Sequence, residues 1–180
     1  NSWGYTENND FKTACSLIED LVDIVSKNGC LLLNVGPKKD GTITEEETAV
    51  LLEIGEWLEK NGEGIYGTSH WKTFGEGPTK VPTGHFTDTK RTGYTSKDLR
   101  FTTKDGVIYV FVLNAPEDGV VRVKSFAQKN TGKLYTPIKQ VTVLGSNTEV
   151  AVKQLKRYTE FKLAEPVKTN KPICLKVELV

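Results

Sequence analysis

Cys30-Leu31-Leu32-Leu33-Asn34-Val35-Gly36-Pro37 is the stretch on which the fold turns. It is an apolar run of strand length with no polar alternation, the pattern of a strand buried on both faces, as in a parallel sheet covered by helices. Gly36-Pro37 stops it, and Asp40-Gly41 marks a turn. Upstream, Ala14, Leu17, Ile18, Leu21, Val22 and Val25 share one face of a helix predicted over 11–27, leaving Glu19, Asp20, Asp23 and Lys27 on the other. Asn28-Gly29 supplies the left-handed residue that ends such a helix. Downstream, Thr44 and Glu47 have capping-box spacing, and Glu45 and Glu46 suit the positive end of the helix dipole. Val50, Leu51, Ile54, Trp57 and Leu58 form the expected buried stripe of this second helix, which Asn61-Gly62 ends. Helix, buried strand, helix is a piece of α/β architecture.

Further along, the pattern dissolves. Glycines and prolines recur between Gly62 and about Lys97, which reads as a loop or linker and a domain boundary. Beyond it every segment reads as β. Stretches 99–103 and 107–113 flank Lys104-Asp105-Gly106, a hairpin signal. Stretches 120–126, 138–144, 150–153 and 159–163 follow. A final strand sets Ile173, Leu175, Val177 and Leu179 against Lys176 and Glu178. Short strands with one apolar face, separated by turns at intervals of about ten residues, predict an antiparallel sandwich. One doubly buried strand cannot make a parallel sheet, and a (β/α) barrel takes about 250 residues. The α/β part therefore reads as the tail of a larger domain, with more chain expected upstream; Asn1 in place of Met, and no Met among the 180 residues, agree with that expectation.

Composition narrows the function classes. The 24 basic and 23 acidic residues leave a formal charge of +1. That balance argues against a nucleic-acid coat or an anionic-membrane binder. No apolar run approaches the ~20 residues that span a bilayer. Cys15, Cys30 and Cys174 are widely spaced, and His70 and His85 have no partner at ligand spacing, so no metal site is expected. Carboxylate neighbours such as Glu19/Asp20, Glu45–Glu47 and Glu117/Asp118 sit on helix faces, a helix start and a turn. None faces another across a common pocket as a glycosidase pair does. No nucleophile elbow surrounds Ser2, Ser16 or Ser69. Aromatics are more suggestive. Trp3 and Tyr5 lie in a polar segment before the first helix, and Tyr66, His70, Trp71 and Phe74 gather in the glycine-rich stretch. Such residues either stack on a sugar or ligand face or plug the bottom of a barrel or its seam with the sandwich.

Five strings stand in order: Ser2-Trp3-Gly4-Tyr5, LVDIVSKNGCLLLNVGPKKDGTI from Leu21, IGEWLEKNGEGIYGT from Ile54, DLRFTTKDGVIYVFVL from Asp98 and VTVLGS from Val141. Together they resemble the C-terminal part of the retaining α-L-fucosidases, glycoside hydrolases that remove terminal fucose from glycans. The resemblance implies the C-terminal segment of a (β/α) barrel-like catalytic domain over 1–84, incomplete here, followed by an antiparallel β-sandwich over 85–180. It implies a catalytic Asp nucleophile and Glu acid/base upstream, no catalytic residue within these 180, and no cofactor. Its partners would be a fucosylated glycan substrate and the rest of the barrel, in a secreted, periplasmic or lysosomal setting. Trp3 matches the aromatic that packs near the fucose ring and methyl, as an apolar indole face would. Asn34 and Gly36, at the C-terminal end of the expected barrel strand, would support the pocket floor. Cys30 departs from the family, which commonly has Asn there. The isolated chain is expected to be inactive. The alternative is a sandwich that binds carbohydrate or a partner without catalysis, although Tyr94, Tyr109, Tyr135 and Tyr158 form no stripe.

Overall fold

The structure, a computed structural model, describes residues 4–81, 92–127, 137–146, 148 and 150–180. Helix α1 runs Ala14–Ser26, with the Thr13 hydroxyl accepting the Ser16 amide at its start. It ends where Asn28 takes φ 66°. Ile18 and Val22 on its buried face are fully enclosed. Helix α2 runs Glu45–Asn61 from the expected capping box at Thr44 and Glu47. Of its apolar stripe only Trp57 is fully buried; Val50, Leu51, Ile54 and Leu58 are half-covered.

The run 30–35 departs from expectation. It forms no strand, and Leu32 is 87% exposed. A strand exists by its ladder, and no described residue pairs with this one. Its apolar side chains remain an uncovered surface.

Eight strands follow among the described residues: β1 Ser69–Glu76, β2 Leu99–Lys104, β3 Val107–Val112, β4 Val120–Val123, β5 Ile138–Val143, β6 Val150–Gln154, β7 Thr159–Leu163 and β8 Ile173–Leu179. They form two antiparallel sheets, ordered β1-β2-β3-β8-β5 and β4-β7-β6. Leu99, Phe101, Val110, Val123, Phe161 and Leu175 belong to the core between the sheets. Asp105 (φ 51°) and Gly106 (φ 82°) turn the β2–β3 hairpin, whose register pairs Phe101 with Val110. Both turn residues have the positive φ that a two-residue hairpin of type I′ requires. The strand expected over 120–126 stops at Val123 and closes in a 3-10 turn, Lys124–Phe126. Glu76 accepts the amides of Lys124 and Ser125 there, and burial raises its carboxyl above the usual range.

Two readings need correction. The stretch taken as linker contains β1, which pairs with β2 and so belongs to the five-stranded sheet. Its register shifts between His70 and Gly75, and its better-covered side carries Trp71, Thr73 and Gly75 while Phe74 faces out, so the sequence shows no apolar period of two. The expected joint at residue 84 lies outside the described residues. Moreover, the central strands β2, β3 and β8 are largely buried on both faces. Tyr109, Phe111, Leu113 and Cys174 project away from the sandwich core and pack with Ile18, Val22 and Trp57 of the helices.

Polar contacts lock the helices onto that outer face. The Trp57 indole N–H donates to the Pro172 carbonyl at 2.7 Å. The Thr102 hydroxyl donates to the Gly64 carbonyl at 2.7 Å. Glu63 accepts the Tyr109 hydroxyl at 2.9 Å and pairs with Lys176 at 2.7 Å. Asp23, assigned to the solvent face from periodicity, is only 7% exposed and meets Arg100 of β2 at 2.6 Å.

Candidate functional site

The loop 30–36 and the N-terminal segment meet at Gly36. Its amide donates to Glu47 Oε1 at 2.9 Å, while Glu47 Oε2 accepts the amide and hydroxyl of Thr44. The Gly36 hydrogen bond, with those from Thr44, holds the Glu47 carboxyl below the usual range against partial burial. Gly36 is buried, and a Cβ placed on it would lie 2.8 Å from both the Gly4 carbonyl carbon and the Tyr5 nitrogen. Only glycine permits this approach of two backbones. The next turn is tied down locally. Lys38 N–H donates to the Thr42 carbonyl, and Asp40 accepts the Thr42 hydroxyl and amide, which lowers the Asp40 carboxyl. Tyr5 is exposed, with Lys38 Nζ 5.9 Å from its ring centre. The result is an accessible aromatic rim on a backbone fixed to the first turn of α2.

Of the residues expected at this site, Gly36 lies at its centre. Asn34 is exposed, and its side-chain amide donates to the Val35 carbonyl at 3.3 Å. Trp3 lies outside the described residues, directly before Gly4. Glu47 carries a second role that its sequence spacing does not announce, because that spacing specifies only the helix cap. The other aromatic group does not stay together. Trp71 packs into the sandwich core, 5.2 Å from the Phe101 ring and 5.1 Å from Phe126. Phe74 instead covers Arg100. Trp71 thus fills the sandwich interior, a place neither reading of the sequence gave it.

The described part of this rim offers an exposed aromatic face on a fixed backbone. The buried carboxylates serve the fold: Asp23 meets Arg100 and Lys27, and Glu76 holds the 3-10 turn. Asp98 accepts the amides and hydroxyls of Thr79 and Thr95. Burial pushes the Asp98 carboxyl up, but those hydrogen bonds outweigh it and leave it below the usual range. Among the described residues, no group of three His, Cys, Asp or Glu side chains could hold a metal ion. No described helix is long and apolar enough to cross a membrane.

A second concavity, about 1010 Å³, opens at one end of the sandwich, between Glu76, Tyr94, Asn114, Arg122, Lys124 and Tyr158. Two of its polar side chains are engaged within the fold. Asn114 donates to the Tyr94 carbonyl, and Arg122 pairs with Glu160 and Asp118.

Comparison with known proteins addresses both halves of the chain. Residues 1–63 match the family model described as alpha-L-fucosidase, and residues 92–178 match that of the alpha-L-fucosidase C-terminal domain. The tissue alpha-L-fucosidase of Rattus norvegicus is 34% identical over 152 residues, which are 83% of this chain and 28% of that protein. The alpha-L-fucosidase of Dictyostelium discoideum is 33% identical over 99% of this chain and 32% of its own length. The crystal structure of Thermotoga maritima alpha-fucosidase superposes with a TM-score of 0.70 at 30% identity, covering 98% of this chain and 37% of that one. The chain thus spans less than a third of the rat protein's length. The two family models fall in order along the chain, the first over the segment that makes the Gly4–Gly36 contact and the second over most of the sandwich, and the chain belongs to the α-L-fucosidase family.

Proposed function

We propose that the protein to which these residues belong hydrolyses terminal α-L-fucose from glycans with retention of configuration, and that this chain supplies one wall of the fucose pocket and the sandwich beneath it. The observation that carries the reading is the contact of Gly36 with Gly4 and Tyr5, which unites two family motifs distant in sequence. Trp3, one residue from that contact, packs against the fucose ring and C5 methyl. Gly36 and Asn34 support the pocket floor. The nucleophile and the acid/base are carboxylates outside these 180 residues. One attacks the anomeric carbon while the other, as the acid, protonates the leaving oxygen. Water then releases fucose from the glycosyl-enzyme. We place the end of the barrel portion before Ser69, upstream of the joint at 84, because β1 pairs with β2. The uncovered apolar run 30–35 is the surface that meets the remainder of the barrel.

The test is hydrolysis of an aryl α-L-fucoside by the full polypeptide and by residues 1–180 alone. The full polypeptide turns over and the 180-residue chain does not. Turnover by the isolated chain after removal of contaminants, or none by the full polypeptide, refutes the assignment. A carbohydrate-binding sandwich has less support, since Tyr94 and Tyr109 are buried within the fold and offer no stacking face.

A further inference from the structure

Glu47 does more than cap a helix. A capping box needs one carboxylate oxygen on the N-cap amide, and Oε2 fulfils that at Thr44. Oε1 is turned instead to the Gly36 amide, eleven positions earlier, at 2.9 Å. Gly36 in turn abuts the backbone of Gly4 and Tyr5 so closely that a methyl group has no room. We propose that Glu47 is a positioning residue for fucose recognition, holding the segment that carries Trp3 through the Gly36 backbone; this rests on the reading of Trp3 as the contact to the fucose methyl.

The mechanics follow from the covalent chain. Trp3 and Gly4 share one planar peptide unit, with their Cα atoms about 3.8 Å apart. Displacing Gly4 therefore disturbs the peptide unit through which Trp3 is attached. A shift of about 1 Å in a positioned group can cost on the order of 100-fold in rate. Glu47 suits the task because it sits in the first turn of α2, fixed by its own amide donating to the Thr44 hydroxyl at 3.1 Å. Both of its oxygens face donors. Glutamine would offer one oxygen, and its amide N–H groups would confront either Gly36 or Thr44. Gly36→Ala disturbs the same relay from the other side and leaves the helix cap intact.

The experiment uses the full polypeptide and a pair of substrates. An aryl β-D-arabinopyranoside has the hydroxyl and anomeric arrangement of the aryl α-L-fucoside but lacks the C5 methyl. The ratio of their kcat/KM values isolates recognition of that methyl, and because both are measured on one preparation, the fraction of folded enzyme cancels. One missing apolar carbon is worth about 10–200-fold. Wild type should prefer the fucoside by a factor in that range. Glu47→Gln and Gly36→Ala should each lower the preference several-fold, approaching the value for Trp3→Ala. Val110→Ala, in the sandwich core, should lower stability and leave the ratio unchanged. A wild-type ratio in Glu47→Gln, with the ratio collapsed in Trp3→Ala, overturns the role of Glu47 whatever Gly36→Ala does, and spares the reading of Trp3. An unchanged ratio in Trp3→Ala overturns that reading and the inference with it. If either Glu47→Gln or Gly36→Ala fails to fold, the other carries the test.

Discussion

Removing Asp23 tests whether the helices and the sandwich form one cooperative body. Asp23 of α1 and Arg100 of β2 meet at 2.6 Å, with side chains 9% and 4% exposed. Arg100 also donates to the Leu99 carbonyl and lies between the rings of Phe74 and Tyr94, at 5.6 and 5.3 Å. Truncating Asp23 to Ala leaves a guanidinium buried among aromatic carbons with one carbonyl. Breaking a buried pair in this way costs about 3–5 kcal/mol. The Lys27 contact to the same carboxylate is 2.6 Å long, but Lys27 is 37% exposed, so its loss adds at most ~1 kcal/mol. Alanine returns up to about 0.7 kcal/mol as the better helix former. The expected net loss is on the order of 3–5 kcal/mol, a large share of the ~5–15 kcal/mol that holds a typical domain together. With a urea m-value of about 2–3 kcal/mol/M, the midpoint falls by more than about 1 M. Unfolding would be followed by Trp fluorescence and far-ultraviolet circular dichroism together, since coincident transitions justify a two-state treatment. The double variant Asp23→Ala/Arg100→Leu removes both charges and keeps the apolar packing, so it should regain most of the loss. A midpoint shift below about 0.4 M for Asp23→Ala, or a double variant no more stable than the single one, would refute the reasoning.

Two further outcomes follow from the same structure. Trp57→Phe keeps the aromatic packing but deprives the buried Pro172 carbonyl of its donor. It should cost about 1–3 kcal/mol in denaturant unfolding. Asp98 has a folded carboxyl below its unfolded value near 3.9. The native state then binds fewer protons, so the stability Asp98 contributes is present above about pH 4 and is lost as pH falls through the folded value. Asp98→Asn should flatten the acid limb of stability against pH; an unchanged slope rejects the assignment. Glu47, Glu63 and Asp40, also depressed, should keep a residual slope in that variant.

What the sequence disclosed was local. Thr44 and Glu47 read as a cap because both hydrogen bonds span three residues. Asn28 and the pair Asp105-Gly106 read as turn formers because positive φ selects few residue types. What it hid depended on partners. The run 30–35 has the composition of a strand, but strand formation is decided by a neighbour that no described residue provides. β1 was hidden because Thr73 and Gly75 stand on its covered side and Phe74 on its exposed one. Asp23 looked like a solvent-face residue until an arginine distant in sequence gave it a reason to be buried. At the site, the family strings pointed to Gly36 and Asn34. The approach of Gly36 to Gly4 is a contact between two backbones, and such contacts write no periodicity into side chains.

Residues 170–172, just ahead of β8, are read by both helices. Cys15 donates to the Asn170 carbonyl, Glu53 pairs with Lys171, and the Trp57 indole donates to Pro172. β8 itself is an interior strand, flanked by β3 and β5. On a ribosome this strap and this strand are made after every other described element. Until they emerge, β3 and β5 have no common neighbour and the helices lack three of their ties to the sheet, so both cores stay incomplete. Contacts of such long sequence separation slow folding, and a nascent chain that waits with open strand edges is exposed to aggregation. Of the described elements, the one made last completes the packing around those made before it.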